Sequence, residues 1–98
     1  MFKGGYVYIL TNQYDAIIYT GVTSELRNRI WQHKNNYYLD SFTSKYKCYK
    51  LVFYIFFESI EEAIAEEKRI KAGKRQNKIN LINVSNPQWK DLYDLIEE

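Results

Sequence analysis

Two short β-rich segments separated by a turn constrain the fold of this chain more than any other feature. Residues 6–11 alternate between two faces, with Tyr8 on one of them, and are rich in aromatic and β-branched side chains. Residues 12–15 read Asn-Gln-Tyr-Asp, which favours a turn, and residues 17–22 form a second such run that contains Tyr19. The pattern predicts a β-hairpin in which the right register would bring the two phenols together.

An amphipathic helix is predicted directly after the hairpin. Thr23 or Ser24 can cap its first turn, where Glu25 would interact favourably with the helix dipole. Arg29 and His33 are one turn apart and share a face with the apolar residues of this helix, which are Leu26, Ile30 and Tyr37. Both side chains should therefore point toward the sheet or its rim.

A long aromatic and β-branched run, residues 49–57, predicts a third and largely buried strand. Glu58 and Ser59 then open a second helix, and Gly73 ends it in the left-handed conformation that glycine adopts without a Cβ penalty. Glu67 lies at the centre of the inner face of this helix, among Ile60, Ala63, Ile64 and Ile70. A carboxylate in this position is costly to bury unless a cation compensates it.

The C-terminal part of the chain predicts two more helices. A short one covers residues 78–82, and Ser85-Asn86-Pro87 has the N-cap and proline pattern that opens a last helix. That last helix would pack through Trp89, Leu92 and Ile96. The expected fold class is α+β, a three-stranded antiparallel sheet flanked by helices, with residues 1–98 forming a single domain.

Length and composition narrow the functional classes. A chain of 98 residues with 46% hydrophobic content has enough apolar side chains for one packed core. No segment approaches the roughly 20 apolar residues of a membrane span and no signal peptide is visible, so we expect a cytoplasmic protein without a membrane partner. One cysteine and one histidine cannot complete a structural zinc site, and serine-hydrolase and P-loop motifs are absent.

Charge is clustered along the chain, although the net charge is only +2. The charged side chains of residues 58–67 are all acidic, whereas those of residues 68–78 are all basic, namely Lys68, Arg69, Lys71, Lys74, Arg75 and Lys78. Such a basic block can be a solvated helix face or a phosphate-binding patch, and the residues alone leave both interpretations open.

Five segments in a fixed order resemble a known family. They are Val7-Tyr8-Ile9, Tyr19-Thr20-Gly21, Arg29 to His33, Glu67 to Arg75, and Asn86 to Leu92. Together they resemble the GIY-YIG domain in its small stand-alone bacterial form, described as an endonuclease, over nearly the whole chain. Val7 replaces the glycine of the first triplet and Thr20 replaces the isoleucine of the second. Both triplets keep their tyrosines, so these departures affect backbone packing more than chemistry.

The resemblance implies a metal-dependent endonuclease that hydrolyses DNA phosphodiester bonds with low sequence specificity. Glu67 would hold a divalent cation, Mg²⁺ or Mn²⁺, and Arg29 would bind the scissile phosphate through its guanidinium. Tyr8 would be the general base, with Tyr19 and His33 hydrogen-bonded to it or sharing the proton transfer. A tyrosine with the ordinary pKa of about 10 would need nearby positive charge for that role.

The partner that this resemblance implies is DNA, either duplex or branched, and RNA stays open as a substrate. Candidate contacts to the nucleic-acid backbone are the basic residues Arg69, Lys74, Arg75, Lys78, Lys34 and Lys45. A role in DNA repair or recombination, carried out by a monomer or weak dimer, is consistent with this interpretation.

Other functions and simpler roles for the same residues stay open. The chain could be a nucleic-acid-binding module of the same fold that cleaves nothing, or a protein-interaction domain whose basic block binds an acidic partner. Tyr8 could be an ordinary core aromatic residue, and Arg29 could form a surface ion pair. His33 could be a hydrogen-bonded residue at a helix rim, and Glu67 could simply pair with Lys71 four residues on.

Overall fold

Three strands form one antiparallel sheet in the computed structural model of the protein, which describes residues 4–97. The strands are β1 (Gly5–Thr11), β2 (Ile18–Thr23) and β3 (Lys50–Phe57), in the spatial order β2-β1-β3. The helices are α1 (Leu26–Lys34), α2 (Phe42–Lys45), α3 (Ile60–Ala72) and α4 (Arg75–Ser85), followed by a 3₁₀ turn at Tyr93–Leu95. The predicted α+β class, with a three-stranded antiparallel sheet and flanking helices, is confirmed.

The hairpin of β1 and β2 has the register that places both tyrosines on one face. Tyr8 lies opposite Gly21, and Leu10 lies opposite Tyr19. The turn is stabilised by Asn12, whose side-chain oxygen accepts hydrogen bonds from the backbone N–H groups of Ala16 at 2.8 Å and of Ile17 at 3.1 Å. An Asn side chain that bonds the backbone ahead of it is typical of a tight turn.

The central strand is buried on both faces. On one face Tyr8 and Leu10 pack in a cluster with side chains of α1, of β3 and of two loop positions. Its other members are Leu26, Ile30, Leu51, Cys48 and Ile96. On the other face Val7 packs against α3 and Ile9 packs against α4 through Ile82. Because β1 is buried on both faces, helices α1, α3 and α4 all pack against it.

The first helix differs from its prediction at both ends. Glu25 is its N-cap residue and makes no side-chain capping bond, although the Thr23 hydroxyl accepts a hydrogen bond from the Glu25 N–H at 3.1 Å. The helix ends at Lys34, so Tyr37 lies beyond it and is exposed, which corrects its assignment to the apolar stripe. Asn36 has a φ of 52°, a left-handed conformation that stops the helix.

Two details of the later helices also differ from the sequence prediction. The short helix α2 was not predicted, because its four residues are too few to show a helical period. Gly73 ends α3 as predicted, but its φ of −78° and ψ of 169° are extended, so the left-handed cap is wrong.

The predicted last helix is wrong, because Ser85 closes α4 instead of opening a new helix. Asn86 is the C-cap residue, and its side chain donates hydrogen bonds to the carbonyls of Val52 at 3.0 Å and Lys90 at 2.8 Å. Pro87 follows the cap, a position where proline is common because it cannot continue a helix. Helix α4 therefore runs longer than the predicted residues 78–82, and the chain beyond it packs as an irregular segment.

None of the helices within residues 4–97 is long and apolar enough to cross a membrane.

The Thr20 hydroxyl is buried without a hydrogen bond. Within residues 4–97 it is the one buried side-chain oxygen or nitrogen that has no partner, and Thr20 as a whole is 4% exposed. An unpaired buried hydroxyl opposes folding because its desolvation is not compensated. This is the position where the resemblance expects isoleucine.

We expect Thr20→Val to stabilise the protein by about 1 kcal/mol, because it removes the unpaired hydroxyl and keeps the shape of the side chain. In thermal unfolding this corresponds to a rise in Tm of roughly 4–8 °C. Thr11→Val is the matched control, since the buried Thr11 hydroxyl donates to the Asp15 carboxylate at 3.1 Å and its removal should lower Tm. Equal effects of the two substitutions would contradict this explanation.

Candidate active site

Tyr8 forms the floor of a cluster of polar side chains on one face of the sheet. It lies in the middle of the central strand and is 1% exposed. Its ring lies over Gly21 of β2, where an added Cβ would stand only 2.5 Å from the Tyr8 hydroxyl oxygen. A glycine is therefore required opposite Tyr8, because any side chain would displace the phenol.

His33 approaches the Tyr8 hydroxyl from α1. The distance between Tyr8 Oη and His33 Nε2 is 3.0 Å, and the other ring nitrogen, Nδ1, lies 2.8 Å from the Thr43 hydroxyl oxygen of α2. The apolar side chains Leu26 and Ile30 seat α1 on the sheet and are fully buried. Because His33 lies one turn beyond Arg29, the same seating brings both polar side chains to Tyr8.

Arg29 lies close enough to Tyr8 to act on its ionisation. Its positive charge lowers the pKa of Tyr8, against the larger effect of burial. Its charge also acts on the neighbouring imidazole, where it lowers the pKa of His33. Arg29 is half-buried, so its charge is both exposed enough to meet a ligand and close enough to polarise the two side chains.

Tyr19 stands beside Tyr8, as the hairpin register allows. Its ring centroid lies 6.4 Å from that of Tyr8 and 5.9 Å from that of His33. On its outer side the Phe42 ring of α2 stacks against it at a centroid distance of 5.8 Å and an interplanar angle of 27°. Helix α2 thus closes one side of the cluster with Phe42 and Thr43.

Glu67 reaches the cluster from α3. It is 9% exposed, and its Oε2 lies 2.8 Å from the ammonium of Lys71. The Lys71 ammonium also lies 5.9 Å from the centre of the Tyr19 ring. The Glu67 charge is close enough to Tyr8 to raise the pKa of the phenol, so the carboxylate belongs to the same constellation.

Burial controls the protonation of the two central groups. Burial, more than any neighbour, raises the pKa of Tyr8, and Tyr19 adds to the increase while Arg29 opposes it. Burial, followed by the Arg29 charge, lowers the pKa of His33 to about 4. At neutral pH the site therefore holds a protonated phenol hydrogen-bonded to a neutral imidazole.

The structure brings four of the five predicted residues, Tyr8, Tyr19, Arg29 and His33, together on one face of the sheet. Glu67 comes from α3, which packs on the other face, and it is linked to them by its charge on Tyr8 and by its partner Lys71, which lies beside the Tyr19 ring. Their chemical roles stay predictions.

Three neighbours were missed as site residues. Thr43 and Phe42 lie in a short segment whose sequence carries no periodic pattern, although Ser41 three residues before Ser44 is a capping signal. Lys71 could have been found from its i+4 spacing to Glu67, a spacing that predicts an ion pair and says nothing about a site.

The predicted nucleic-acid contacts are spread over several surfaces, and most are held by other protein groups. Arg69 pairs with Glu66 at 2.5 Å, Arg75 donates to the Ala16 carbonyl, and Lys78 donates to the Gly73 carbonyl.

The remaining three of those basic residues lie elsewhere. Lys34 bonds the Tyr49 carbonyl and the Asp91 carboxylate, and Lys45 lies 5.5 Å from the centre of the Tyr46 ring. Lys74 is exposed at the start of α4. Arg69 and Lys78 line one pocket between α3 and α4, whereas Lys34 and Lys45 belong to α1 and α2, and the contact of all six residues with DNA stays a prediction.

Glu67 is the one carboxylate among the predicted site residues. Within residues 4–97 no group of three or more histidine, cysteine, aspartate or glutamate side chains could hold a metal ion. Mg²⁺ needs only one or two carboxylates because it keeps several of its waters, so the chemistry of Glu67 is compatible with it. In the structure Glu67 Oε2 is paired with the Lys71 ammonium at 2.8 Å, and its role as a cation ligand stays a prediction.

Comparison with known proteins gives a consistent result. The family model of the GIY-YIG catalytic domain matches residues 4–80. A UPF0213 protein of Clostridium perfringens is 41% identical over 78 residues, which cover 80% of this chain and 82% of that protein. A UPF0213 protein of Syntrophus aciditrophicus is 32% identical over 83 residues, covering 85% of this chain and 93% of that protein.

A solved structure is also similar. The solution NMR structure of a UPF0213 protein from Bacillus halodurans aligns with a TM-score of 0.57 and 28% identity. The alignment covers 97% of this chain and 99% of that one, so the likeness extends to the irregular C-terminal segment.

We expect the pKa of His33 to be about 4, measured by NMR titration of its ring. Because the chain has one histidine, the signal needs no assignment. Arg29→Gln should raise this pKa toward the ordinary value of about 6.5, since it removes the neighbouring positive charge. Arg69→Gln, which removes a charge paired with Glu66 on the exposed face of α3, should leave it unchanged. A wild-type pKa at the ordinary value would contradict the burial of the imidazole.

Proposed function

Because the chain belongs to the GIY-YIG catalytic-domain family, we propose that it is an endonuclease that hydrolyses DNA phosphodiester bonds with the help of a divalent cation. The observation that carries the proposal is the grouping of a phenol, a guanidinium and an imidazole on one face of the sheet, at Tyr8, Arg29 and His33, with the Glu67 carboxylate of α3 near enough to act on Tyr8. Phosphodiester hydrolysis needs a proton acceptor for the attacking water and positive charge for the phosphoryl oxygens.

The scissile phosphate binds at Arg29 in this proposal. The guanidinium matches two phosphate oxygens with its fork of N–H donors, and its charge stabilises the negative charge that develops on them. Because the Arg29 charge acts on Tyr8, a phosphate held by Arg29 would lie near the phenol. Arg29 would therefore hold the phosphate beside the group that accepts the water proton.

Tyr8 and His33 form the proton relay for the attacking water. As the water oxygen forms its bond to phosphorus, the water proton passes to Tyr8 Oη and the phenol proton passes to His33 Nε2, 3.0 Å away. The bond to the leaving oxygen breaks, and that oxygen takes a proton from solvent. The low pKa of His33 makes the imidazole available as a proton acceptor at neutral pH.

Glu67 is the residue that would hold the cation, Mg²⁺ or Mn²⁺. A bound cation supplies positive charge that polarises the phosphate and favours deprotonation beside Tyr8. In the free protein the positive charge beside Glu67 comes from the Lys71 ammonium.

We further propose that residues 1–98 form one nuclease domain with low sequence specificity, acting as a monomer or weak dimer in DNA repair or recombination. Low specificity is supported by the proposed grip of Arg29 on a phosphate, because contacts to phosphate carry no sequence information directly. Duplex or branched DNA is the proposed substrate, and its backbone contacts are Arg69, Lys74, Arg75, Lys78, Lys34 and Lys45.

The second candidate is a nucleic-acid-binding module that cleaves nothing. It is favoured by one observation, the raised pKa of Tyr8, because burial holds the phenol in the protonated form that is a poor base. The endonuclease proposal requires that the positive charges of Arg29 and a bound cation, together with transfer of the phenol proton to His33, offset this effect.

Nicking of supercoiled plasmid should therefore depend on Mg²⁺ or Mn²⁺ and stop in the presence of chelator. Glu67→Gln and Arg29→Gln should each reduce the nicking rate at least about a hundredfold, since each removes charge stabilisation from the transition state. Glu66→Gln is the matched control, because it is the preceding residue of the same helix and pairs with Arg69 outside the site.

Circular dichroism should show unchanged helix and strand content in all three variants. Nicking that survives both Glu67→Gln and Arg29→Gln would contradict the assignment of the site. Salt-dependent DNA binding with no product under either metal would support the binding module instead.

A further inference from the structure

His33 is held at both ring nitrogens, and the second bond has no part in the chemistry proposed above. Nε2 lies 3.0 Å from Tyr8 Oη, and Nδ1 lies 2.8 Å from Thr43 Oγ1. Thr43 is 2% exposed, so its hydroxyl is shielded from water as a competing partner. The Thr43 hydroxyl oxygen is also hydrogen-bonded to Ser41 Oγ at 3.1 Å. Ser41 Oγ in turn accepts a hydrogen bond from the Ser44 N–H at 3.2 Å.

The direction of these hydrogen bonds follows from the burial of Tyr8. The residue is 1% exposed, and the hydrogen-bond partner of its hydroxyl within residues 4–97 is His33 Nε2. Since a buried hydroxyl hydrogen needs an acceptor, we assign the phenol as the donor and Nε2 as the acceptor. A neutral imidazole has one donor and one acceptor nitrogen, so Nδ1 carries the hydrogen and donates it to Thr43 Oγ1.

We propose that Thr43 is a positioning residue that fixes His33 as the Nδ1–H tautomer and leaves Nε2 free to accept the Tyr8 proton. The Thr43 hydroxyl accepts from Nδ1 and passes its own hydrogen to Ser41 Oγ. The consequence for cleavage depends on the proposed function, whereas the tautomer itself does not.

The packing around the imidazole supports this assignment. The Tyr8 and Tyr19 rings contact the His33 ring at centroid distances of 5.8 Å and 5.9 Å, and Arg29 lies on the same helix one turn earlier. Phe42 precedes Thr43 and stacks on Tyr19, which fixes the short helix α2 against the site. Thr43 is thus placed by the same element that covers Tyr19.

The tautomer can be measured directly, because His33 is the one histidine in the chain. Long-range ¹⁵N–¹H NMR spectra of uniformly labelled, tag-free protein at pH 7 distinguish the protonated ring nitrogen from the unprotonated one. We expect Nδ1–H in the wild type and in Thr43→Ser, which keeps the hydroxyl. Thr43→Val keeps the shape but removes the acceptor, so the Nε2–H form should become the major one.

Ser44→Ala is the matched control within α2. Its hydroxyl donates to Asn36 at 3.0 Å and lies outside the chain from His33 to Ser41, so the tautomer should stay Nδ1–H. Backbone amide spectra report whether each variant keeps the fold. An Nε2–H wild type, or a folded Thr43→Val with unchanged tautomer, would overturn the proposal.

Nicking kinetics provide the second readout. Thr43→Val should lower kcat by roughly tenfold to a hundredfold with little change in KM, and Thr43→Ser should restore it, because the hydroxyl orients a proton acceptor and does not contact DNA. If the wild type cleaves nothing, the nuclease proposal fails while the NMR result still decides the role of Thr43. Full nicking by a folded Thr43→Val would overturn its part in the reaction.

Discussion

Burial of the Tyr8 phenol in the central strand is the constraint on which the rest of the structure depends. The ring occupies the space that a glycine leaves on the neighbouring strand, so Gly21 and the hairpin register are tied to it. A buried hydroxyl must be hydrogen-bonded, and this need is met by His33 of the helix that packs on the same face. Fold and site are therefore built by the same contacts.

The electrostatics of the site follow from that burial. Burial keeps Tyr8 protonated and His33 neutral at neutral pH. Arg29 supplies the positive charge beside them. Glu67 supplies the negative charge, and Lys71 compensates it in the free protein. A phosphodiester would add one negative charge and a divalent cation two positive charges to a region that already has a partner for both, at Arg29 and Glu67, and such charge stabilisation is what phosphoryl chemistry requires.

The strands could be predicted from sequence, because alternation and turn chemistry are local signals. The five site residues came instead from the resemblance to the GIY-YIG domain, and their roles stay predictions. The prediction that Tyr8 and Tyr19 lie on the same face required only the correct hairpin register, and burial of the sheet faces specifies that register. Helix α2 could not be predicted, since it is held by contacts between Phe42 and Tyr19 and between Thr43 and His33 that are distant in sequence. The segment at Pro87 was misjudged because proline is favoured both at the start of a helix and just after its end.

The most direct test of the account is the cleavage rate of Tyr8→Phe on plasmid DNA with Mg²⁺, compared with its thermal stability. This change removes the phenol oxygen and keeps the ring over Gly21, so it separates chemistry from packing. The account predicts a folded protein whose cleavage rate falls at least about a hundredfold, as expected for loss of the group that accepts the water proton. A folded Tyr8→Phe that cleaves at the wild-type rate would contradict it.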